Sequence, residues 1–180
     1  MLTKNQSKQS SQHGFTLIEI TVVLVLMAII AAYVIGRSVT TEQVDVVGVS
    51  DRIRNQIRYA QSTAMKRSDR IWGIRCNTGA NQYWLFSVPI PVPANAWNLA
   101  ENQRRFPGES NDVISFADLG LDDVTPGFTL FFDRIGKPFN AYIEEGDPGN
   151  APLGSDLVLT VSAGGRTRNI TVIPETGMVQ

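Results

Sequence analysis

The chain has 180 residues and a formal net charge of −1 at pH 7, a balance without bulk attraction for nucleic acid. Its one cysteine, Cys76, excludes an intramolecular disulfide, and its one histidine, His13, leaves the rest of the chain without a histidine-built metal cluster or catalytic triad. There is no glycine-rich phosphate loop. Carboxylate-only catalysis is the enzymatic option that remains and no pattern points to it, so the sequence reads as non-enzymatic, with no cofactor and no metal site.

Residues 1–14 form a polar leader that carries Lys4 and Lys8, lacks acids and ends at Gly14. From Phe15 to Ile35 the chain is apolar with a single charge, Glu19. As a helix this segment spans about 30 Å, the thickness of a bilayer's hydrocarbon core. A secretory signal peptide is cut after its apolar stretch. Here the glycine comes first, so cleavage between Gly14 and Phe15 keeps the apolar helix as an anchor. A carboxylate inside a membrane helix costs roughly 2.5–3.5 kcal/mol unless a cation pairs with it. The plainer reading of Glu19 is an acid at the headgroup boundary of an ordinary signal anchor.

Gly14-Phe15-Thr16-Leu17-Ile18-Glu19 resembles the class III leader of type IV pilins and type II secretion pseudopilins. The resemblance implies a prepilin peptidase and methyltransferase that cuts after Gly14 and N-methylates Phe15. Glu19 then becomes the fifth mature residue, a subunit-assembly residue facing the cationic α-amino group of a neighbouring subunit. The implied partners are other pseudopilins or minor pilins and an inner-membrane assembly platform. The implied location is the bacterial inner membrane, single-pass, with residues 1–14 cytoplasmic by the positive-inside rule and the C-terminal domain periplasmic. Many members carry a proline about two-thirds along this helix. Tyr33-Val34-Ile35-Gly36 has none, and Gly36 is the nearby flexible point.

Beyond the anchor, Val46, Val49, Ile53, Ile57, Ala60 and Ala64 recur at spacings of three and four, which predicts an amphipathic helix to about Arg67 with Gly48 as a weak point. Its small members Ala60 and Ala64 let a sheet approach closely, and core packing explains the stripe better than a partner groove. The stretch Arg52–Arg75 holds seven basic residues against Asp69 alone, and Glu101–Asp147 holds ten acids against four bases. Two of the sixteen basic residues lie in the leader, so the processed chain has 14 against 17 acids, a net of −3. Such a split suits head-to-tail assembly, and equally two solvated surfaces.

The rest reads as β. Ile71–Cys76 and Tyr83–Val88 flank the turn Asn77-Thr78-Gly79-Ala80, a hairpin signal. Further strands are expected at Val113–Phe116, Phe128–Phe132, Leu157–Val161 and Arg168–Ile173, with turns at Arg134–Pro138 and Ser162–Gly165. Cys76, inside an apolar run, reads as a buried inert thiol. Between Val88 and Asp112, Pro89, Pro91 and Pro93 favour extended chain. Trp97 in that stretch is a partner contact or a lid over the core edge. The acidic loop Glu144–Asn150, with Asp156 beyond, offers oxygens for Ca²⁺ but lacks EF-hand spacing, and a solvated turn is the better reading.

The C-terminal run from Gly165 to Val179 looks like the pseudopilin H and FimT-like minor pilin group. Some FimT-like members bind DNA through a Gly-Arg-x-Arg hairpin, which Gly165-Arg166-Thr167-Arg168 matches. Arg166 and Arg168 would lie on one strand face about 7 Å apart, close enough to engage phosphates together. A solvated hairpin rim is the plain alternative, and DNA binding would need help from the basic helix end.

The expectation is therefore an α+β, pilin-like fold: a long N-terminal helix, half membrane and half amphipathic, packed on an antiparallel β domain. The divisions are 1–14 leader, 15–35 transmembrane and assembly helix, 36–70 amphipathic helix and 71–180 periplasmic domain. The implied function is a minor pseudopilin of a type II protein secretion system. The alternative is a FimT-like minor pilin of a type IV pilus, acting in pilus assembly or DNA uptake. A signal-anchored periplasmic binding protein outside any filament has little in its favour.

Overall fold

The computed structural model describes residues 16–36, 41–67 and 69–180, with side chains described for 16–31 and from 46 onward. It divides into two units, Met1–Val39 and Thr40–Gln180. The first contains helix α1, Leu17–Gly36. Thr16 starts it as an N-cap: its Oγ1 accepts a hydrogen bond from the Glu19 backbone N–H at 3.3 Å. The described apolar side chains of α1, from Leu17 to Ile30, are exposed. Among the described residues no helix is long and apolar enough to cross a membrane. The expected run of helix through residues 37–40 lies outside the described residues.

The second unit opens with α2, Thr41–Lys66. The predicted stripe is its core face: Val46, Ile53, Ile57, Ala60 and Ala64 are buried and Val49 packs beside them. Gly48 is accommodated within the helix. Two antiparallel sheets follow. The larger has the order β3 (Gln103–Arg104), β2 (Gln82–Pro89), β1 (Arg70–Asn77), β6 (Phe128–Phe132), β7 (Pro138–Ala141) and β8 (Ala151–Pro152), with β4 (Val113–Ser115) also on the outer edge of β2. The smaller has the order β10 (Arg166–Val172), β9 (Leu157–Ala163) and β5 (Asp123–Thr125). The α+β architecture matches the expectation: α2 packs on both sheets through one cluster that joins Ile53 and Ile57 to Ile74, Leu130, Leu159 and Ile170.

The larger sheet is buried on both faces. Trp72, Ile74 and Cys76 of β1 face α2, while Ile71, Phe86, Val88 and Phe131 form a second cluster on the opposite face. This is why Tyr83–Val88 and Phe128–Phe132 are predominantly apolar, each with a single polar residue (Ser87, Thr129), and do not alternate. The lid of the outer face is the proline-rich stretch after β2. Trp97 is half-buried there, its ring 5.3 Å from that of Phe131, and its carbonyl accepts the Trp84 Nε1–H at 2.8 Å. Of its two readings, the lid is the one the structure supports.

Several local outcomes differ from expectation. Pro138, read as the end of a turn, begins β7, a position where a strand loses no ladder bond to proline. Strands β3, β5, β7 and β8, of two to four residues, went unforeseen because each is too short to show a period; β5 exists through pairing with β9.

Gly73 marks the tightest contact in the larger sheet. A Cβ there would lie 2.3 Å from both the Leu130 carbonyl oxygen and Phe86 Cζ. Gly73→Ala is expected to destabilise the domain by about 3 kcal/mol through overpacking. Gly48→Ala, whose Cβ meets nothing within 4 Å, is expected to stabilise it by up to about 1 kcal/mol. Urea unfolding of the detergent-purified chain, followed by tryptophan fluorescence, measures both. Similar midpoints for the two variants would refute this account of the sheet.

Candidate functional site

Of the residues singled out from sequence, Gly14 and Phe15 lie outside the described residues. Glu19 sits in the first turn of α1 with its side chain exposed. A carboxylate there also complements the positive end of the helix dipole. Its backbone N–H is the group that Thr16 caps, so Glu19 is the fourth residue of a Thr-x-x-Glu start signal.

The arginine hairpin is built as its glycines require. Gly164 and Gly165, at φ +56° and +73°, form a two-residue turn closed by the Ala163–Arg166 pair. Positive φ at both central residues is the geometry that matches strand twist, and glycine adopts it without strain. Side-chain alternation then puts Arg166 and Arg168 on the same face as Ile170 and Val172, which are fully buried in the cluster with α2. The two arginines therefore share a face, as expected, and that face is the one directed at α2.

Arg168 Nη1 lies 3.5 Å from Asp51 Oδ1 of α2, and Asp51 Oδ1 also accepts a 2.8 Å hydrogen bond from Arg54 Nη1. One carboxylate thus serves two guanidiniums. Arg54 Nε and Arg168 Nη1 are buried without a hydrogen-bond partner of their own. Arg166 is exposed beside Val47 at the rim of the same surface. The basic helix end does not join this cluster. Fifteen residues along α2 separate Asp51 from Lys66, about 20 Å of axial rise.

The other arginines of the basic stretch hold the domain together. Arg52 makes a two-pronged ion pair with Glu109, its Nε donating to Oε1 at 2.9 Å. That hydrogen bond raises the Arg52 pKa above its usual value against the opposing effect of burial. Glu109 Oε1 also accepts from Gln56 Nε2 at 3.0 Å, and Gln56 Oε1 accepts from the Tyr83 hydroxyl at 2.7 Å. Burial pushes the Tyr83 pKa up. Arg58 donates to the Val179 carbonyl at 2.6 Å. Arg67 stacks over the Trp72 ring at 5.7 Å. Arg70 donates to Ser87 Oγ at 2.7 Å and to Asn102 Oδ1 at 3.1 Å. The acidic and basic stretches meet within one chain at Arg52–Glu109, a pairing that sequence reasoning missed because 57 residues separate the partners.

Cys76 is buried, and burial pushes its thiol pKa up to about 12, aided by Asp123 and opposed by Arg75. It is a poor nucleophile at neutral pH. In the acidic loop, Asn150 Oδ1 accepts from the Ile143 N–H at 2.7 Å, Asp147 Oδ1 accepts from the Gly149 N–H at 2.7 Å, and Glu145 pairs with Arg134. The loop's polar groups thus close its own turn. Among the described residues no group of three or more His, Cys, Asp or Glu side chains could hold a metal ion.

Residues 9–35 match the prokaryotic N-terminal methylation motif. No curated protein and no solved structure matches the chain. The motif is the N-terminal signal of type IV pilin-like proteins, and an α+β domain with a helix packed on antiparallel sheets is consistent with that architecture.

Asp51 links the hairpin to the helix, so Asp51→Asn is expected to lower domain stability by about 1 kcal/mol, a modest figure because the carboxylate is 45 % exposed. The loss comes from two guanidiniums left facing each other. The urea midpoint of the purified chain reads it, and an unchanged midpoint would mean that Asp51 does not hold Arg168.

Proposed function

We propose that the chain is a minor pseudopilin of a type II protein secretion system that assembles into a periplasmic pseudopilus. The observation that carries the pilin-like part is the methylation motif over residues 9–35, which takes in the apolar helix with its one carboxylate. In this reading residues 1–14 are a cytoplasmic leader and 15–35 an inner-membrane and assembly helix. Residues 36–70 are an amphipathic helix and 71–180 a periplasmic domain. A prepilin peptidase cleaves between Gly14 and Phe15 and methylates Phe15. The protein works by assembly with sibling subunits on an inner-membrane platform and has no catalytic role. Secretion is favoured over DNA uptake by one half of the arginine hairpin: Arg168 already lies in ion-pair range of Asp51, 3.5 Å away, while Arg166 is exposed at the rim.

Two measurements test this. Mass spectrometry of the membrane-extracted protein is expected to find an N-terminal N-methyl-Phe15. An intact Met1 start, or cleavage beyond residue 35, would overturn the pilin-like reading.

Glu19→Ala is expected to leave membrane insertion intact, since it removes an expense of roughly 2.5–3.5 kcal/mol, and to block incorporation into the fibre. Co-purification with sibling subunits after cross-linking reads incorporation. Recovery at the wild-type level would sink the role assigned to Glu19.

A further inference from the structure

Arg75 stands apart from the other arginines of its stretch. It lies on β1 opposite Trp84 of β2 and Thr129 of β6. Alternation puts it on the same face as Ile71, the face directed away from α2. Its Nη1 donates to Thr129 Oγ1, and its Nε is buried without a hydrogen-bond partner. The ion pairs among the described residues join Arg52, Arg54, Arg105, Arg134, Lys137 and Arg168 to carboxylates, and none of them reaches Arg75. A half-buried guanidinium with an orphaned N–H and no ion-pair partner among the described residues is costly in the free domain.

The same guanidinium lines an open hollow of ≈ 320 Å³, together with Asn77, Thr78, Gly127 and Thr129. The chemistry of that lining is one-sided. It offers an arginine fork, two threonine hydroxyls and an asparagine amide, and it contains no acid. Gly127 keeps the wall clear: a Cβ there would lie 3.2 Å from Thr78 Oγ1 and 3.3 Å from the Cys76 carbonyl oxygen.

We propose that this hollow is a binding site for a single carboxylate group, with Arg75 as the counter-charge and Thr78 and Asn77 as further donors. With Nε buried, the Nη end of the planar guanidinium is the part that can meet a carboxylate's two oxygens. One guanidinium balances a monoanion, whereas a phosphate dianion would leave net charge in the site. The assignment rests on the β domain alone and is independent of the assembly reading.

The test is a ¹H–¹⁵N NMR titration of the full chain in zwitterionic detergent micelles. Sodium acetate is compared with sodium chloride and with inorganic phosphate at equal ionic strength. Acetate is expected to give saturable shifts at the Arg75 Nε–H and at the Thr78 and Gly127 amides, with chloride giving none. Arg75→Gln is expected to weaken acetate binding about tenfold or more, the size of one charge-assisted hydrogen bond. Thr78→Val, which leaves the guanidinium in place, is expected to weaken it several-fold and keeps the test decisive if Arg75→Gln does not fold. No saturable acetate response, or the same response to chloride, would overturn the proposal. So would tighter binding of phosphate, or wild-type affinity in either variant.

Discussion

One helix face serving two sheets is the constraint on which the domain depends. The stripe of α2 contributes Ile53 and Ile57, and Ala60 and Ala64 further along. A fully buried isoleucine stabilises by about 1.5–3 kcal/mol, but the alanines matter for a different reason. They leave the space that lets Trp72 and Phe132 of the larger sheet lie in the same buried cluster as the helix. The smaller sheet reaches that cluster through Leu159, Val161, Ile170 and Val172. Further polar ties follow from this seating: Gln61 Nε2 donates to the carbonyls of Gly136 at 2.9 Å and Thr176 at 2.8 Å, which fixes two distant turns to the helix.

What was legible in the sequence followed from local period. The helix stripe, the first hairpin and the longer strands each carry their own pattern over five residues or more, and the structure contains them. What was not legible depends on partners far along the chain. Strand β5 has no pattern of its own. The charges of Arg52 and Glu109 looked like parts of two separate surfaces, yet the two residues form one ion pair. Trp97 could be read as a contact or as a lid because its sequence surroundings are the same in either case. Its position over Phe131 is set by the path of a stretch whose prolines reveal extension and not direction.

The hairpin shows the same limit with a functional edge. Gly165-Arg166-Thr167-Arg168 states that two guanidiniums share a strand face, and they do. It does not state what lies opposite that face. Asp51 does, three residues before Arg54 on a helix 117 positions earlier than Arg168. A phosphate approaching Arg168 must compete with a carboxylate already in ion-pair range, and the gain from such an exchange is small when both partners are anions. Position on a motif and availability for a ligand are separate properties, and only the second depends on tertiary structure.

Magnitudes also set the two accounts of Glu19 apart. As an acid in the first turn of α1 it gains about 0.3–1 kcal/mol from the helix dipole. If α1 enters the hydrocarbon core, the same carboxylate costs roughly 2.5–3.5 kcal/mol. The dipole therefore justifies an acid at an exposed helix start and falls short of justifying one in a membrane. The Thr16 cap does not close the gap, because it satisfies the Glu19 backbone N–H and leaves the carboxylate exposed. A buried Glu19 needs a cation from outside its own helix. The new amino terminus that cleavage before Phe15 would create is a cation four residues away in sequence. In the assembly proposed above, processing and assembly would be coupled by one ion pair, the cut that frees the amine also creating the partner that the next subunit's carboxylate requires.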